Sequence, residues 1–347
     1  MTKDIVKEYG EVIHDPSSIT DQELDIISVS PKIDIALGGG VPEGSLFIMT
    51  GPEKAGKTIT ALTFCANAQA SGRPIYYGNI EGRLRKRDLE GINNLQSDPE
   101  LMQIIGSTQG NILSAEKYLG IFDQLIHTRP GCICVVDSFS ALSSDAELTG
   151  DLTDQQVMSV QKVLAKFCRR ISNVLPINKV TVVGITHLMA NVSTFGRGKA
   201  KVEKSGSALK YQVDVKLHAS HSTPIMQGET QIGQTVHWQV VTSAIGPPGQ
   251  KVSSHLKYGR GIWKEMELAD LLVDFGLVHK SGTWLTLPNE EKLQGKNNLA
   301  KYLEDNPEQY TNFESQIFSM VGMDKNEPKT KRKKEKTKKK ASSGESS

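Results

Sequence analysis

The chain has 347 residues, 37% of them hydrophobic, which is enough for one large domain with a smaller one beside it. Its net charge of +2 is unevenly distributed, because residues 325–347 hold 10 Lys/Arg and 3 acidic residues, which leaves 31 and 36 for the rest. Composition excludes a membrane-embedded class, since no apolar run approaches the ~18 residues of a transmembrane helix. The charged N-terminus also lacks the apolar stretch of a signal peptide, so we expect a cytoplasmic protein.

The first 29 residues are polar and carry a broken helical pattern of apolar side chains, at Ile5, Val6, Tyr9, Val12 and Ile13. A short amphipathic segment of this kind can pack on a neighbouring molecule or frame the domain that follows. We expect this segment to serve oligomerisation.

Residues 51–58 read Gly-Pro-Glu-Lys-Ala-Gly-Lys-Thr and fit the phosphate-binding loop pattern G-x-x-x-x-G-K-[ST]. An apolar run precedes them and a segment with helical character follows, which is the strand–loop–helix context that the motif needs. Gly51 and Gly56 let backbone N–H groups face a polyphosphate. Lys57 would reach the β- and γ-phosphates, and the Thr58 hydroxyl would bind Mg²⁺. The motif predicts a nucleoside triphosphate site, with a chance glycine-rich turn as the alternative.

Strands and helices alternate after this loop. Strand-like runs occupy 75–78, 102–105, 132–136 and 180–185, and helical segments occupy 114–127 and about 155–175. Such alternation predicts a mostly parallel, buried sheet that is flanked by helices, with an active site at the carboxyl ends of the strands.

Three polar side chains fall at these strand ends. Asp137 follows a buried β-branched run and would hold Mg²⁺ through Thr58 or water, or else simply cap the strand. Glu81 could orient the attacking water, or it could be a surface acid in a charged turn. His187 could sense a γ-phosphate, or it could be a structural histidine.

The segment after His187 is polar and rich in glycine and basic residues over 189–208, and we expect a mobile loop that γ-phosphate contact orders. Pieces rich in β-formers follow at 213–219 and 235–245, and the Lys/Ser-rich tail from about 324 is expected to be disordered. The expected units are an N-terminal oligomerisation segment at 1–29, a nucleotide-binding core at 30–261, a small α/β domain at 262–322 and a basic tail at 323–347.

The order of these motifs resembles the RecA-type strand-exchange recombinases, from about residue 30 to about residue 320. The phosphate loop is similar to that family's in detail, because it includes Pro52 and Glu53. The further similar segments are the lead-in 33–44, the Walker B run 135–142, the first DNA-binding loop at 146–154, the second at 188–206, its exit at 205–211, and the C-terminal pieces 258–262, 274–284, 295–296 and 305–308.

The resemblance implies an α/β fold with a RecA-like P-loop ATPase core, a mostly parallel central sheet and a small α/β C-terminal domain. It implies a helical homo-oligomer on single-stranded DNA, with ATP and Mg²⁺ between neighbours. The filament would pair its strand with homologous double-stranded DNA and exchange strands, and hydrolysis would release the DNA. Single-strand-binding and mediator proteins are further expected partners.

The resemblance also assigns site residues. It implies that Glu81, Lys57 and His187 act in catalysis. It implies that Thr58 and Asp137 bind Mg²⁺. The residues implied to bind ATP are Gly51, Pro52, Glu53, Lys54, Ala55, Gly56, Lys57, Thr58, Ile59, Asp137 and Ser138. Lys210 and Tyr211 are implied to lie at the interface between protomers. The residues implied to bind DNA are Glu147, Leu148, Thr149, Gly150, Asp151, Arg197, Lys199, Lys201, Lys204 and Gly206.

The chain departs from the bacterial members of that family at three functional positions. They usually carry Gln where this chain has His187, whereas tailed-phage members resemble it in carrying His, which favours a phage-encoded protein in the host cytoplasm. Two lysines that reach the neighbour's ATP in the bacterial proteins are replaced here by Thr242 and Ala244. Lys210, Lys251 and Lys257 are candidate replacements.

Two further departures concern the base and the tail. Residues 85–88 offer no counterpart to the tyrosine that stacks on adenine in the bacterial proteins, so base specificity could be loose. The tail is basic where bacterial members often have an acidic one, and it could attract DNA phosphates or simply aid solubility.

Three other functions compete with a recombinase. A hexameric helicase shares the core but does not predict the 146–154 match or the 262–322 module. A non-hydrolysing recombination mediator would explain the missing lysine pair but not the presence of Glu81. A small-molecule kinase lacks a visible acceptor site and would not need the basic segments.

Overall fold

Runs of β-branched and other apolar residues form the strands of a large central sheet. The computed structural model describes residues 2–10, 12–17, 24–151, 159–190, 201–203, 209 and 212–323. Its strands are β1 (Ile26–Ile27), β2 (Val41–Pro42), β3 (Leu46–Gly51), β4 (Ile75–Asn79), β5 (Met102–Ile105), β6 (Ile133–Asp137), β7 (Thr181–Ala190), β8 (Lys201–Glu203), β9 (Val215–Gln227), β10 (Thr230–Thr242), β11 (Lys251–Lys257), β12 (Gly261–Ile262), β13 (His279–Ser281), β14 (Trp284–Thr286) and β15 (Lys292–Gln294).

The helices of the described residues flank that sheet or follow it. They are α1 (Thr2–Tyr9), α2 (Pro31–Leu37), α3 (Lys57–Ala70), α4 (Lys86–Glu90), α5 (Ala115–Thr128), α6 (Asp145–Thr149), α7 (Ser159–Ile171), α8 (Val174–Asn178), α9 (Lys264–Asp274), α10 (Gly295–Asp305) and α11 (Pro307–Met320), with a 3₁₀ turn at Phe139–Ala141. None of these helices is both long and apolar enough to cross a membrane.

The central sheet has the strand order β12-β11-β10-β9-β3-β7-β6-β4-β5, and β8 pairs with β7. Strands β9, β3, β7, β6, β4 and β5 pair in parallel, and β9 to β12 pair antiparallel. The α/β fold that the sequence predicts is therefore confirmed. Parallel pairing also brings the carboxyl ends of β3, β4, β6 and β7 to the same edge, which is where the candidate site lies.

Both faces of the parallel strands are buried. Phe47 and Met49 of β3 belong to a core that α3 covers, whereas Leu46 and Ile48 belong to a second core under α5 and α7. Alternate residues of a strand point to opposite faces, so burial on both sides requires the continuous apolar run that the sequence contains.

The helix predicted over about 155–175 is confirmed over Ser159–Ile171 but is wrong at its C-terminal end. Helix α7 ends at Ile171, and the separate helix α8 begins at Val174. The cause is Pro176, which has no N–H to donate to the carbonyl of Ser172 and whose ring would collide with it in a continuous helix.

Three strands extend beyond their predicted lengths. The run predicted for 180–185 continues to Ala190, and the end of β7 pairs with β8, so residues 201–203 of the expected loop are a strand. Strands β9 and β10 have 13 residues each, because they pair with each other along a long hairpin.

The C-terminal module has its own core, formed by α9, α10, α11 and the antiparallel sheet β13-β14-β15. Asp270 of α9 ties this module to the rest of the protein. Its carboxylate lies 2.9 Å from Lys32 Nζ, 2.8 Å from His255 Nε2 and 2.6 Å from Lys296 Nζ. Burial alone would raise the pKa of Asp270, but these partners together hold it well below its usual value.

Candidate nucleotide-binding site

The phosphate loop connects β3 to α3, as the sequence predicts, and its glycines are needed for its conformation. Gly51 has a φ of +149° and Gly56 a φ of +81°. A Cβ atom at Gly51 would lie 2.6 Å from the carbonyl oxygen of Ala219, and one at Gly56 would lie 2.3 Å from Leu256 Cδ1. The loop therefore lies directly on the neighbouring strands, and only glycine fits at these two places.

Lys57 is buried within the loop. Its Nζ donates hydrogen bonds to the carbonyl oxygens of Pro52 at 2.6 Å and Gly51 at 3.1 Å. Burial lowers the pKa of Lys57 to about 8, while the charges of Asp137, Glu81 and other acids oppose that fall. A polyphosphate beside this ammonium would supply the missing negative charge, so the loop is prepared for an anionic ligand.

Thr58 and Asp137 meet at the start of α3. Thr58 Oγ1 donates to Asp137 Oδ2 at 3.1 Å, and the Tyr77 hydroxyl donates to the same oxygen at 2.5 Å. Burial raises the pKa of Asp137, and the bonds from Tyr77 and Thr58 oppose that rise. Tyr77 is fully buried in β4 and was not predicted from the sequence, where nothing distinguishes its hydroxyl from that of the adjacent Tyr76.

This donor set fits Mg²⁺. A hydroxyl and a carboxylate are hard oxygen ligands, and Mg²⁺ commonly uses one or two such groups together with water and phosphate oxygens. Among the described residues, no group of three or more His, Cys, Asp or Glu side chains could enclose a metal ion. Thr58 and Asp137 are therefore the residues that would hold the cation beside a bound triphosphate.

Glu81 and His187 form a hydrogen-bonded pair across the strand ends. His187 Nε2 donates to Glu81 Oε1 at 2.9 Å, and Ser138 Oγ donates to the same oxygen at 2.8 Å. The bond from His187 lowers the pKa of Glu81 to about 2, against the effect of burial and with help from Ser138. Glu81 is thus a carboxylate at neutral pH, and its Oε2 remains available to accept a hydrogen bond from water.

The backbone N–H of His187 donates to Ser140 Oγ at 2.8 Å, which links β7 at this position to the 3₁₀ turn after β6. His187 Nδ1 is buried and has no hydrogen-bond partner within the described part of the chain. The sequence predicted both Glu81 and His187 at strand ends. Glu81 lies two residues after β4, but His187 lies within β7, because pairing with β8 extends that strand to Ala190. The bond between the two side chains was not predicted.

A cavity of about 740 Å³ joins these groups. Its lining includes the predicted residues Glu53, Lys54, Ala55, Gly56, Lys57, Thr58, Ile59, Glu81, Ser138 and His187. Gly51, Pro52 and Asp137 are not in the lining, but each bonds to a residue that is. The cavity also has lining residues that the sequence did not predict, namely Ile80, Arg83, Ser140, Ala141, Leu188 and Gln234.

The first predicted DNA-binding segment begins as a helix and not as a loop. Ser144 Oγ accepts from the backbone N–H of Glu147, and the Glu147 carboxylate accepts from the backbone N–H of Ser144. This reciprocal capping box starts α6, which contains Leu148 and Thr149, and Gly150 and the exposed Asp151 follow it. The S-x-x-E spacing at 144–147 was the signal in the sequence.

Several predicted residues lie outside the described residues, namely Arg197, Lys199, Lys204, Gly206, Lys210, Tyr211 and the tail from 324. Lys201 is described only by its backbone, in β8. Of the candidate replacement lysines, Lys257 lies 4.2 Å from the ring centre of Trp263 and 4.0 Å from Glu304 Oε1. Neither Lys251 nor Lys257 lines the cavity of its own protomer.

The loop between β3 and α3, the Thr58–Asp137 pair and the carboxylate at the end of β4 define a P-loop nucleotide-binding protein. A family model described as the RecA N-terminal domain matches residues 2–263, and one described as the RecA C-terminal domain matches residues 266–322. The chain therefore belongs to the RecA family.

Individual relatives support the same assignment. The chain is 31% identical over 303 residues to Protein RecA of Wolinella succinogenes, covering 87% of this chain and 84% of that protein. It is 30% identical over 311 residues to Protein RecA of Streptomyces venezuelae, covering 88% and 79%. It is 30% identical over 293 residues to Protein RecA of a Nitratiruptor species, covering 84% and 83%.

Proposed function

We propose that this RecA-family protein is an ATP-dependent recombinase, which forms a filament on single-stranded DNA and catalyses homologous pairing and strand exchange. The observation that carries this proposal is the carboxylate of Glu81 in the same cavity as Lys57 and Thr58. A protein that only binds ATP as a switch has no need of that carboxylate. The match to both RecA domains argues against a helicase, because a helicase does not require the C-terminal one.

Hydrolysis follows from the placement of the chain's own groups. The loop N–H groups and Lys57 would bind the β- and γ-phosphates, and Thr58 and Asp137 would hold Mg²⁺, which would neutralise phosphate charge. Glu81 Oε2 orients a water molecule for in-line attack on the γ-phosphorus. The new P–O bond forms as the bond to the bridging oxygen breaks, ADP leaves with the electron pair, and the proton of the attacking water passes to Glu81 Oε2.

His187 couples the γ-phosphate to the DNA-binding segments. Its imidazole holds Glu81 Oε1, and β7, on which it lies, leads directly into residues 191–200. A γ-phosphate would compete with Glu81 for the imidazole, so its arrival and loss would change the position of the strand end. DNA binding is assigned to residues 147–151 and 197–206, and the contact between protomers to Lys210 and Tyr211.

Three further parts of the proposal rest on the sequence: the origin of the protein, its protein partners and its division into units. The histidine at position 187 favours a phage-encoded protein that acts in the host cytoplasm, with single-strand-binding and mediator proteins as partners. The units are the oligomerisation segment 1–29, the core 30–261, the C-terminal domain 262–322 and the basic tail 323–347.

A strand-exchange assay tests the proposal. The protein should transfer a strand from a homologous duplex to circular single-stranded DNA when ATP is present, and should leave a heterologous duplex intact. Glu81→Gln should bind ATP and pair DNA but hydrolyse ATP at least about 100-fold more slowly, in line with the usual contribution of a general base. DNA-dependent ATP hydrolysis with no exchange at all would contradict the recombinase.

A further inference from the structure

The phosphate cavity contains one guanidinium group among its described lining residues. Arg83 lies two residues after Glu81, in the turn between β4 and α4, and its exposed side chain lines the cavity together with Lys57 and His187. It makes no hydrogen bond or ion pair with another described residue. Its charge nevertheless acts on the site, since it is among the influences that lower the pKa of Glu81.

Two of the other basic side chains of the cavity already have different contacts. Lys57 Nζ is bound to two carbonyl oxygens of the phosphate loop, and His187 Nε2 is bound to Glu81. Lys54 belongs to the loop itself, and its hydrogen bond with Gln234 uses its carbonyl oxygen, so that bond leaves its ammonium group unoccupied. Arg83 and Lys54 are therefore the two lining cations that can turn towards a terminal phosphate without giving up a bond, and of the two only the planar guanidinium of Arg83 can contact two phosphate oxygens at once.

We propose that Arg83 is a catalytic residue that acts within its own protomer, which rests on the ATP hydrolysis proposed above. Its guanidinium binds two γ-phosphate oxygens and stabilises the charge on the phosphoryl group as water attacks. Arginine is suited to this role because its planar N–H groups match two phosphate oxygens and its charge is permanent. Arg83 transfers no proton in this role, and its contribution is electrostatic.

The same turn provides a matched control. Arg85 is also exposed and lies two residues further on, but it does not line the cavity. Its backbone N–H donates to Asp88 at the start of α4, and that bond survives truncation of the side chain. Arg85→Ala therefore removes the same charge from the same turn without touching the phosphate site.

The experiment compares Arg83→Ala, Arg83→Lys and Arg85→Ala by ATP hydrolysis at saturating single-stranded DNA. Arg83→Ala should lower kcat by about 10²–10³-fold, the usual loss for one donor to a transition-state oxyanion. Arg83→Lys should show an intermediate loss, because the charge remains but the two-point contact does not. Arg85→Ala should match the parent protein.

Binding measurements separate catalysis from assembly. Arg83→Ala should bind ADP normally, but it should bind ADP with aluminium fluoride, which imitates the transferring phosphoryl group, more weakly than the parent. Equal kcat values for Arg83→Ala and Arg85→Ala would overturn the inference, and so would loss of DNA-supported assembly with unchanged aluminium fluoride binding. Absence of hydrolysis in the parent protein would instead refute the proposed function.

Discussion

Replacement of Tyr77 by Phe should weaken Mg²⁺ binding while leaving the fold intact. The substitution removes only the hydroxyl, and the ring remains in the core beneath α3. That hydroxyl donates to Asp137 Oδ2 at 2.5 Å, which is shorter than the 3.1 Å bond from Thr58 to the same oxygen. Without it, the carboxylate is held by Thr58 alone and is free to rotate.

The expected size of the effect follows from two independent rules. A hydrogen bond to a charged group contributes about 1.5–3 kcal/mol. Loss of a partner that orients a metal ligand reduces metal affinity by about 10–100-fold, which corresponds to about 1.4–2.8 kcal/mol. We therefore expect the Mg²⁺ concentration for half-maximal nucleotide binding to rise by about 10–100-fold in Tyr77→Phe.

The assay is a Mg²⁺ titration of the binding of a fluorescent, slowly hydrolysed ATP analogue. Tyr76→Phe is the matched control, because Tyr76 is the preceding residue of β4 and packs in the core on the opposite face of the sheet. The two variants should have similar unfolding midpoints and differ only in their Mg²⁺ requirement. Identical titration curves would show that Tyr77 does not position Asp137, and the reasoning would fail.

Three further predictions test other parts of the account. Gly56→Ala should lose about 1–2 kcal/mol of stability, because its φ of +81° strains a side-chain-bearing residue, and thermal unfolding at the parent's midpoint would contradict this. Asp270→Asn should cost about 3 kcal/mol at neutral pH in denaturant titrations. Because the folded-state pKa of Asp270 is depressed, its stabilisation is present above pH ~4 and fades as the pH falls further, so a pH-independent difference would refute the ion-pair role. Removal of residues 325–347 should weaken capture of duplex DNA and flatten its salt dependence, and identical binding curves for both proteins would exclude a role for the tail.

The sequence was most informative about functions that depend on residues close together in the chain. The pattern over 51–58 predicted both the phosphate loop and its place between a strand and a helix, because its chemistry depends on consecutive residues. The ends of β4 and β6 were also predictable to within a residue, since buried strands have a simple apolar pattern, whereas β7 continues past its predicted end to Ala190.

Contacts between distant segments were not predictable in this way. Tyr77 reaches Asp137 only because β4 pairs with β6, and Gln234 reaches the phosphate loop from a strand that is far away in sequence. The sequence did not single out Arg83, because nothing near it in the chain shows that it faces the cavity. The end of α7 was missed for a different reason, since the signal of Pro176 was local but was outweighed by the helical pattern around it.

Electron microscopy of the protein with single-stranded DNA and a slowly hydrolysed ATP analogue tests the central claim most directly. A recombinase of the proposed kind forms regular helical filaments that coat the DNA, and these filaments should disassemble when ADP replaces the analogue. Closed rings on the DNA would indicate a helicase, and the absence of any assembly would indicate a mediator. Either of these results would contradict the account.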